Sequence, residues 1–229
     1  MIIGIVIAIK KELLFLKKHM QHCIYKNLYG FKIYIGYLYK KKTIIVQSGI
    51  GKVSASSATT MLIMHYAPNI IVNIGSCGAI IQKIKIQDII IPNQCCYHDV
   101  DVSKFHYKMG QVPGYPNFFY TNRLLIKKTV ISLKKLNYKY KIGMITTGDT
   151  FVSNKVLKKE IIHKFPNAIV ADMESCAIAQ IAYVFKVPFL IIRFISDFSN
   201  ENADLDFKKS FLYPSKMISK IIKLTFQQL

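Results

Sequence analysis

Short apolar runs rich in isoleucine and valine recur along the 229-residue chain, each bounded by turn-forming residues. Runs of this length suit strands that are buried on both faces of a sheet. Helical patterns separate several of them, which predicts an α/β fold with helices on both faces of a largely parallel or mixed sheet. The strand candidates are residues 2–9, 43–49, 69–76, 88–96, 141–149, 167–174 and 187–197, a hairpin is predicted at 23–42, and the helix candidates are 53–66, 123–136, 175–185 and 207–226, the last interrupted by Pro214.

The chain is 52% apolar, which is enough for a sizeable core. Because no linker, repeat or low-complexity segment interrupts it, we expect one domain over residues 1–229. No apolar run reaches the roughly 18 residues that a membrane span needs, and the N-terminal run is interpreted as a first strand rather than a signal peptide. The five cysteines show neither metal-ligand nor disulfide spacing, which favours a reducing cytoplasm and predicts no metal or other cofactor.

The formal net charge of +20 raises the hypothesis of a nucleic-acid-binding α/β protein. Only two of the 32 Lys+Arg residues are arginines, although arginine is the better reader of phosphates and bases. The lysines are also spread along the chain rather than gathered in one stripe. Nucleic acid is therefore disfavoured as a partner, and solvated surface is the preferred interpretation of the charge.

Glycines, small polar residues and acids follow the predicted strands. They occur at Ser48–Gly49, Gly75–Ser76, Thr147–Asp149, Asp172–Glu174 and Ser196–Asp197. In α/β sheets the ligand crevice lies beyond the carboxyl ends of the strands. Acidic residues number only 12, and several of them lie at these ends. Arg193 sits inside an apolar run beside this edge, and a buried charge is costly unless it is paired or used.

Each of these positions also has a plain structural interpretation. The segment SGIGKVS (48–54) is either a tight strand-to-helix turn or an anion or ribose site at a helix N-terminus. Glu174 is placed to complement a helix dipole, and Asp197 to cap the next segment. Glu12, in KKELLFLKK, is placed for a surface ion pair with lysine. The convergence of these residues on strand ends favours a common site.

Seven motifs in order along the chain resemble the 5′-methylthioadenosine/S-adenosylhomocysteine nucleosidases, which belong to the nucleoside phosphorylase superfamily. They are SGIGK (48–52), NIGSCG (73–78), YHDVDV (97–102), GQVPGYP (110–116), TGDTF (147–151), ADMES (171–175) and RFISD (193–197). The resemblance implies a three-layer α/β/α sandwich around a mixed, largely parallel twisted sheet, and a homodimer. It also implies cleavage of the N-ribosidic bond of adenine nucleosides.

The resemblance implies two catalytic carboxyls. Glu12 would bind and deprotonate the attacking water, with help from Ser76 and Arg193. Asp197, placed by Ser196, would give a proton to the purine N7. During cleavage, positive charge builds on the sugar and negative charge on the leaving purine. A carboxylate that activates water on one face of the sugar and a carboxylic acid that protonates the purine on the other correspond to the mechanism of inverting glycoside hydrolases.

The same resemblance implies a set of substrate-binding residues. Met173 and Glu174 would hold the ribose, Phe151 would stack on adenine, and the backbone of Val152 would read the edge of the base, with Gly78 in the same set. The 5′-alkylthio pocket would be lined by Ile9, Ile50 and Phe207, and by Val102, Phe105 and Pro113 from a partner subunit.

Several residues depart from the pattern of the resembled enzymes. Ile9 stands in place of a common methionine, Cys77 in place of alanine, and Asp172 in place of glutamate. Lys10 and Lys11 replace an acidic pair, and we expect them to lower the pKa of Glu12 slightly.

A nucleoside phosphorylase is the nearest alternative, since it would use phosphate in place of water. Phosphate sites in that group draw on several arginines, and this chain has none before Arg123, which favours hydrolysis. The sequence does not rank methylthioadenosine, S-adenosylhomocysteine and 5′-deoxyadenosine as substrates.

Overall fold

A computed structural model describes residues 1–209 and 214–229, which form ten strands and seven α-helices. The strands are β1 (Ile2–Ile7), β2 (Met20–Leu28), β3 (Phe31–Leu38), β4 (Lys41–Gln47), β5 (Ile70–Ala79), β6 (Ile89–Tyr97), β7 (Phe119–Tyr120), β8 (Tyr140–Thr147), β9 (Ala168–Asp172) and β10 (Phe189–Asp197). The helices are α1 (Lys10–Lys18), α2 (Lys52–Tyr66), α3 (Arg123–Lys135), α4 (Lys155–Lys164), α5 (Ser175–Val184), α6 (Ala203–Lys209) and α7 (Pro214–Gln227).

The ten described strands join one mixed sheet. On one side of β5 the order is β1, β4, β3 and β2. On the other side β5 pairs with both β9 and β10, and the run β10-β6-β8-β9 returns to it, so five strands close into a ring. The pairs β1–β4, β1–β5, β5–β10, β6–β8 and β8–β9 are parallel, and the others are antiparallel.

Helices cover both faces of the sheet, which confirms the expected three-layer α/β/α arrangement. On one face, alanines of α2 and α5 pack with Val6, Val46 and Ile71. On the other face, Leu13 of α1 joins residues of α3 and α7 over β1, β5 and β10. Strand residues such as Ile5 and Ile192 are fully buried because both of their neighbouring layers are apolar.

Three parallel strands place the polar strand ends side by side. β5 lies between β1 and β10, and all three run in the same direction. Ile7 of β1 is level with Ile74 of β5, and Gly78 of β5 is opposite Asp197 of β10. The segment that follows β1, the end of β5 and the end of β10 therefore meet at one edge, as the sequence predicts.

The structure adds elements that the sequence patterns did not indicate. The segment KKELLFLKK forms α1, with Leu13 and Leu16 buried on its inner side. Glu12 in its first turn and Lys17 and Lys18 in its last turn complement the helix dipole. α4 was also not predicted, and the hairpin predicted at 23–42 extends to Met20 and continues into β4.

At the C-terminus the predicted interruption at Pro214 falls between α6 and α7, and residues 210–213 lie outside the described residues. Among the helices that are described, none combines the length and apolarity needed to cross a membrane.

Candidate active site

A cavity of about 410 Å³ opens at the edge where β1, β5 and β10 end. This volume is in the range of small-molecule sites. Every residue that the sequence places in the site of a single subunit lines this cavity, namely Glu12, Ser76, Gly78, Phe151, Val152, Met173, Glu174, Arg193, Ser196, Asp197, Ile9, Ile50 and Phe207. The predicted site residues are thus brought together from seven separate segments of the chain.

Glu12 is 6% exposed and faces the cavity from the first turn of α1. Its Oε1 accepts the backbone N–H of Ser76 at 2.9 Å and the hydroxyl of Ser76 at 3.0 Å. Its Oε2 lies 3.5 Å from the backbone N–H of Ile9, the N-cap residue of the helix. Glu12 therefore has no lysine partner in the described structure, and the surface ion pair is excluded.

The pKa of Glu12 is raised, because burial disfavours the carboxylate more than Arg193 and the hydrogen bonds from Ser76 favour it. Lys10 and Lys11 are exposed on α1, and the slight lowering of this pKa expected from them stays a prediction, because burial alone sets the net direction.

Arg193 is 1% exposed, and its direct partner is Asp172 rather than Glu12. Its Nη2 donates to Oδ2 of Asp172 at 2.6 Å, and its Nε donates to the same oxygen at 3.0 Å. Nη2 also donates to the side chains of Asn73 and Ser175. The buried guanidinium is thus neutralised by a carboxylate from β9, which the sequence does not identify as its partner.

The other terminal nitrogen of Arg193, Nη1, is buried without a hydrogen-bond partner in the described part of the chain. A Cβ atom placed on Gly75 would lie 2.7 Å from this nitrogen and 3.3 Å from Oε1 of Glu12. Glycine at this position therefore lets the guanidinium and the Glu12 carboxylate approach the same point of the cavity. An unused buried donor of this kind is costly unless the site has a use for it.

Glu174 precedes α5, yet its carboxylate does not cap that helix. Its Oε1 instead accepts the backbone N–H of Gly51 at 2.9 Å, at the start of α2. Lys52, the next residue, donates its backbone N–H to Oδ1 of Asp149 at 2.7 Å. The tight strand-to-helix turn predicted for SGIGKVS (48–54) is therefore present. The carboxylates of Glu174 and Asp149 accept the N–H groups at the helix N-terminus, where an anion or ribose site is the alternative interpretation.

Glu174→Gln is expected to stabilise the unliganded protein at pH 8 by roughly 1–3 kcal/mol. The pKa of Glu174 is raised to about 7, first by burial and then by the nearby Asp172. A carboxyl with a raised folded-state pKa is most favourable below its unfolded value of about 4.5 and costs stability as the pH rises to about 7. The amide cannot ionise but can still accept the N–H of Gly51.

Urea unfolding at pH 4.5 and pH 8 measures this difference, which should be small at the lower pH. Glu160→Gln, which alters an exposed carboxylate paired with Lys164, is the matched control and should give no gain. A gain for Glu174→Gln that is the same at both pH values would contradict the raised pKa.

Asp197 ends β10 and is 1% exposed. The hydroxyl of Ser196 donates to its Oδ2 at 2.7 Å, and the backbone N–H of Ser199 donates to its Oδ1 at 2.9 Å. Gly78 faces this carboxyl, and a Cβ atom there would lie 2.8 Å from Oδ1. The pKa of Asp197 is raised, because burial outweighs the two hydrogen bonds and the charge of Lys158.

Apolar side chains form the opposite wall of the cavity. The rings of Phe151 and Phe207 meet edge to face, with centroids 6.0 Å apart and planes at 72°. Val152 is buried, whereas Phe151 and Ile50 remain 40% and 57% exposed. Flat aromatic surface next to hydrogen-bonding carboxyls suits a ligand that combines a planar base with a polar sugar.

Three residues that the sequence assigned to the site lie elsewhere in the single chain. Val102, Phe105 and Pro113 do not line the cavity. Phe105, in a short 3-10 turn at Ser103–Phe105, is 73% exposed, and Pro113 is also exposed. These positions are those that the resemblance assigns to a partner subunit.

Some polar residues of the site were not predicted individually. Asn73 is 2% exposed, accepts from Arg193, and donates to the backbone of Val6 at 3.1 Å. Its sequence signal is an amide inside the apolar run of β5, where only a paired polar group is tolerated. Among the described residues no group of three or more His, Cys, Asp and Glu side chains is arranged to hold a metal ion.

Comparison with known proteins is consistent with this geometry. The family model of the Phosphorylase superfamily matches residues 2–222. A 5′-methylthioadenosine/S-adenosylhomocysteine nucleosidase of Buchnera aphidicola subsp. Acyrthosiphon pisum (strain APS) is 44% identical over 231 residues, covering 99% of this chain and 98% of the relative.

Solved structures agree in fold over the whole chain. The crystal structure of the 5′-methylthioadenosine/S-adenosylhomocysteine nucleosidase from Neisseria meningitidis, in complex with methylthio-immucillin-A, has a TM-score of 0.97 and 31% identity, covering 100% of this chain and 99% of that one. The native structure of futalosine hydrolase of Helicobacter pylori strain 26695 has a TM-score of 0.94 and 28% identity, covering 100% of this chain and 98% of that one.

Proposed function

The chain belongs to the phosphorylase superfamily and, within it, to the 5′-methylthioadenosine/S-adenosylhomocysteine nucleosidases, and from this membership we propose how its cavity works. The enzyme hydrolyses the N-ribosidic bond of both nucleosides, releasing adenine and the 5-thio-substituted ribose. The observation that carries the mechanism is that two buried carboxyls, Glu12 and Asp197, line the same cavity and both have a raised pKa.

Glu12 is the general base that takes a proton from the attacking water. The N–H and O–H of Ser76 both donate to Oε1 and hold the carboxylate in one orientation. Burial raises the pKa of Glu12, so the carboxylate is a stronger base than an exposed one. Nη1 of Arg193, which has no hydrogen-bond partner in the described part of the chain, donates to the attacking water or to the ribose.

Asp197 is the general acid that protonates N7 of the leaving adenine. Its raised pKa lets it keep a proton to higher pH than an exposed aspartate does. The hydroxyl of Ser196 orients the carboxyl toward the cavity, into which Gly78 allows a close approach. Each of the two proton transfers contributes roughly 10²–10⁴-fold to the rate.

The remaining lining residues hold the nucleoside. Glu174, whose Oε1 is already fixed by Gly51, accepts from the ribose hydroxyls next to Met173. Phe151 stacks on the adenine, and the backbone of Val152 reads its edge. Ile9, Ile50 and Phe207 contact the 5′-alkylthio group.

This reaction places the enzyme in methionine salvage and in the removal of S-adenosylmethionine by-products, with 5′-deoxyadenosine as a further substrate. We assign it to the cytoplasm, because all five cysteines are unpaired and four of them are buried. Residues 1–229 act as one domain, since a single sheet takes strands from Ile2 to Asp197 and α7 packs on that sheet.

The deciding experiment is incubation of the purified protein with methylthioadenosine, with and without inorganic phosphate. Adenine and free methylthioribose should form at the same rate in both. A requirement for phosphate, with a sugar 1-phosphate as product, would show a phosphorylase instead. No release of adenine in either buffer would refute the proposed function.

A futalosine hydrolase activity is the second candidate, because the Helicobacter pylori enzyme of that name shares the whole fold. The same assay with futalosine as substrate tests it. We expect methylthioadenosine to have the higher kcat/KM, since the curated relative at 44% identity is a methylthioadenosine/S-adenosylhomocysteine nucleosidase.

The enzyme is a homodimer in this proposal, and the partner's loop completes the alkylthio pocket. Phe105 in the segment 102–116 is 73% exposed in the single chain, and the resemblance assigns it to the pocket of a partner subunit. Phe105→Ala should raise KM for methylthioadenosine about tenfold, the worth of one buried aromatic ring, and should change KM for adenosine far less.

Leu124→Ala, which removes a side chain that is 68% exposed on α3, is the matched control and should alter neither constant. Light scattering should give the mass of two chains for the wild type. A monomer, or equal effects of Phe105→Ala on both substrates, would argue against the shared pocket.

A further inference from the structure

Lys158 of α4 reaches the strand ends that hold the acid. Its Nζ donates to the backbone carbonyl of Phe198 at 2.7 Å and to that of Ala79 at 3.1 Å. Phe198 directly follows Asp197, and Ala79 is the last residue of β5. The ammonium group of Lys158 therefore links the ends of β5 and β10, which come from distant parts of the chain.

The ends of these two strands, β5 and β10, position Asp197. Gly78, the neighbour of Ala79, lies opposite Asp197 in the register of β5 and β10. The register shifts between Ile195 and Asp197, so the regular ladder does not hold the carboxyl by itself. Lys158 bridges the two strands just past this irregularity, where no further β5–β10 pairs follow.

A second contact joins α4 to the segment that follows β10. Lys155 at the start of α4 pairs with Glu201 in the turn after β10, at 3.5 Å. Both of these side chains are largely exposed, at 72% and 57%, so the pair adds little to stability. Lys158 is half-buried, and its two short hydrogen bonds make it the stronger tie.

The charge of Lys158 also acts on the acid, lowering the pKa of Asp197, whereas Asp206 of α6 raises it. The other ionisable groups that line the cavity with Asp197 are those of Cys77, Arg193, Asp204, Lys208, Glu12, Asp172 and Glu174. Asp204 and Lys208 are exposed and pair with each other at 3.5 Å. Lys158 is thus the cation that α4 contributes near Asp197.

We propose that Lys158 is the positioning residue of the general acid Asp197, holding its strand end in place and setting the pH range over which it donates a proton. This inference rests on the proposed function, in which Asp197 protonates the leaving base. It concerns a residue that lies outside the lining of the cavity.

Lys158→Met keeps the length of the side chain but removes the charge and both hydrogen bonds. We expect kcat for methylthioadenosine at neutral pH to fall by about tenfold or more, since a small displacement of a catalytic group is costly. Loss of a lowering influence raises the pKa of Asp197, so the alkaline limb of the kcat profile should move upward by about half a unit to one unit.

Three further variants isolate the cause. Lys158→Arg keeps the charge and the donors, and should restore both the rate and the position of the limb. Lys159→Met removes the same charge from the neighbouring exposed lysine and should change neither. Lys158→Gln is neutral but keeps an amide donor, and it replaces Lys158→Met in the comparison if that variant does not fold.

A p-nitrophenyl riboside, whose leaving group needs no protonation, completes the test. Its cleavage should be little affected by Lys158→Met if the lysine acts through the acid. If Lys158→Met lowers the activity on both substrates equally, or leaves the alkaline limb in place, Lys158 has only a structural role. That result would overturn this inference and leave the proposed function standing. If the wild type releases no adenine from methylthioadenosine, the proposed function fails and this inference fails with it.

Discussion

Glu12→Gln should lower kcat for methylthioadenosine by at least about 100-fold, the usual cost of losing a general base. The amide oxygen can accept the same two hydrogen bonds from Ser76 as Oε1 of Glu12 does, so the shape of the site is kept. It cannot take a proton from water. The dissociation constant of methylthioadenosine, measured by calorimetry on the variant, should therefore remain close to the wild-type KM.

The control is Glu160→Gln, which removes an exposed carboxylate on α4 that pairs with Lys164 at 2.6 Å. Its kcat should equal that of the wild type. Because burial raises the pKa of Glu12, the acid limb of the wild-type profile should lie above the ordinary glutamate value of 4.5. If Glu12→Gln keeps more than about a tenth of the wild-type kcat, general-base catalysis at this residue is ruled out.

Asp197→Asn should reduce cleavage of methylthioadenosine by roughly 10²–10⁴-fold, the range for loss of a general acid. The side chain of asparagine has the same shape, and its oxygen can still accept the N–H of Ser199. It can donate a hydrogen bond to N7 but cannot transfer a proton. The p-nitrophenyl riboside should lose far less activity, because nitrophenolate leaves without protonation.

Comparing methylthioadenosine with the p-nitrophenyl riboside distinguishes a catalytic role of Asp197 from a structural one. Asp197 is buried with a raised pKa, so its neutral replacement carries no penalty for an unpaired charge and should fold normally. Equal losses on both substrates would mean that Asp197 acts as a cap for the following turn, through the N–H of Ser199, and that the acid lies elsewhere.

The location of the site could be predicted from the sequence. Buried strands are recognisable from local apolar runs, and the carboxyl ends of parallel strands meet at one edge. Glu12, Glu174 and Asp197 are three of only 12 acidic residues, and each follows or ends a strand. Their presence around one cavity agrees with that expectation.

The partners of the charged groups could not be predicted in this way. The resemblance assigns Arg193 to the water site with Glu12, but it does not identify Asp172, with which Arg193 forms its ion pair at 2.6 Å. The sequence leaves Glu174 between a helix-dipole role and a ribose-binding role, and neither interpretation identifies Gly51, whose N–H its carboxylate accepts. Lys158 has no sequence signal at all, because a lysine on an amphipathic helix is ordinarily solvated surface.

The sequence by itself determined the alternation of strands and helices and the chemical groups at the strand ends, because both depend on residues close together in the chain. Only the tertiary structure decided which groups meet, since Glu12 and Ser76 are 64 positions apart and Gly51 and Glu174 are 123 apart. It also decided the raised pKa of Glu12, because desolvation depends on the layers packed around a carboxyl and not on its position in the sequence.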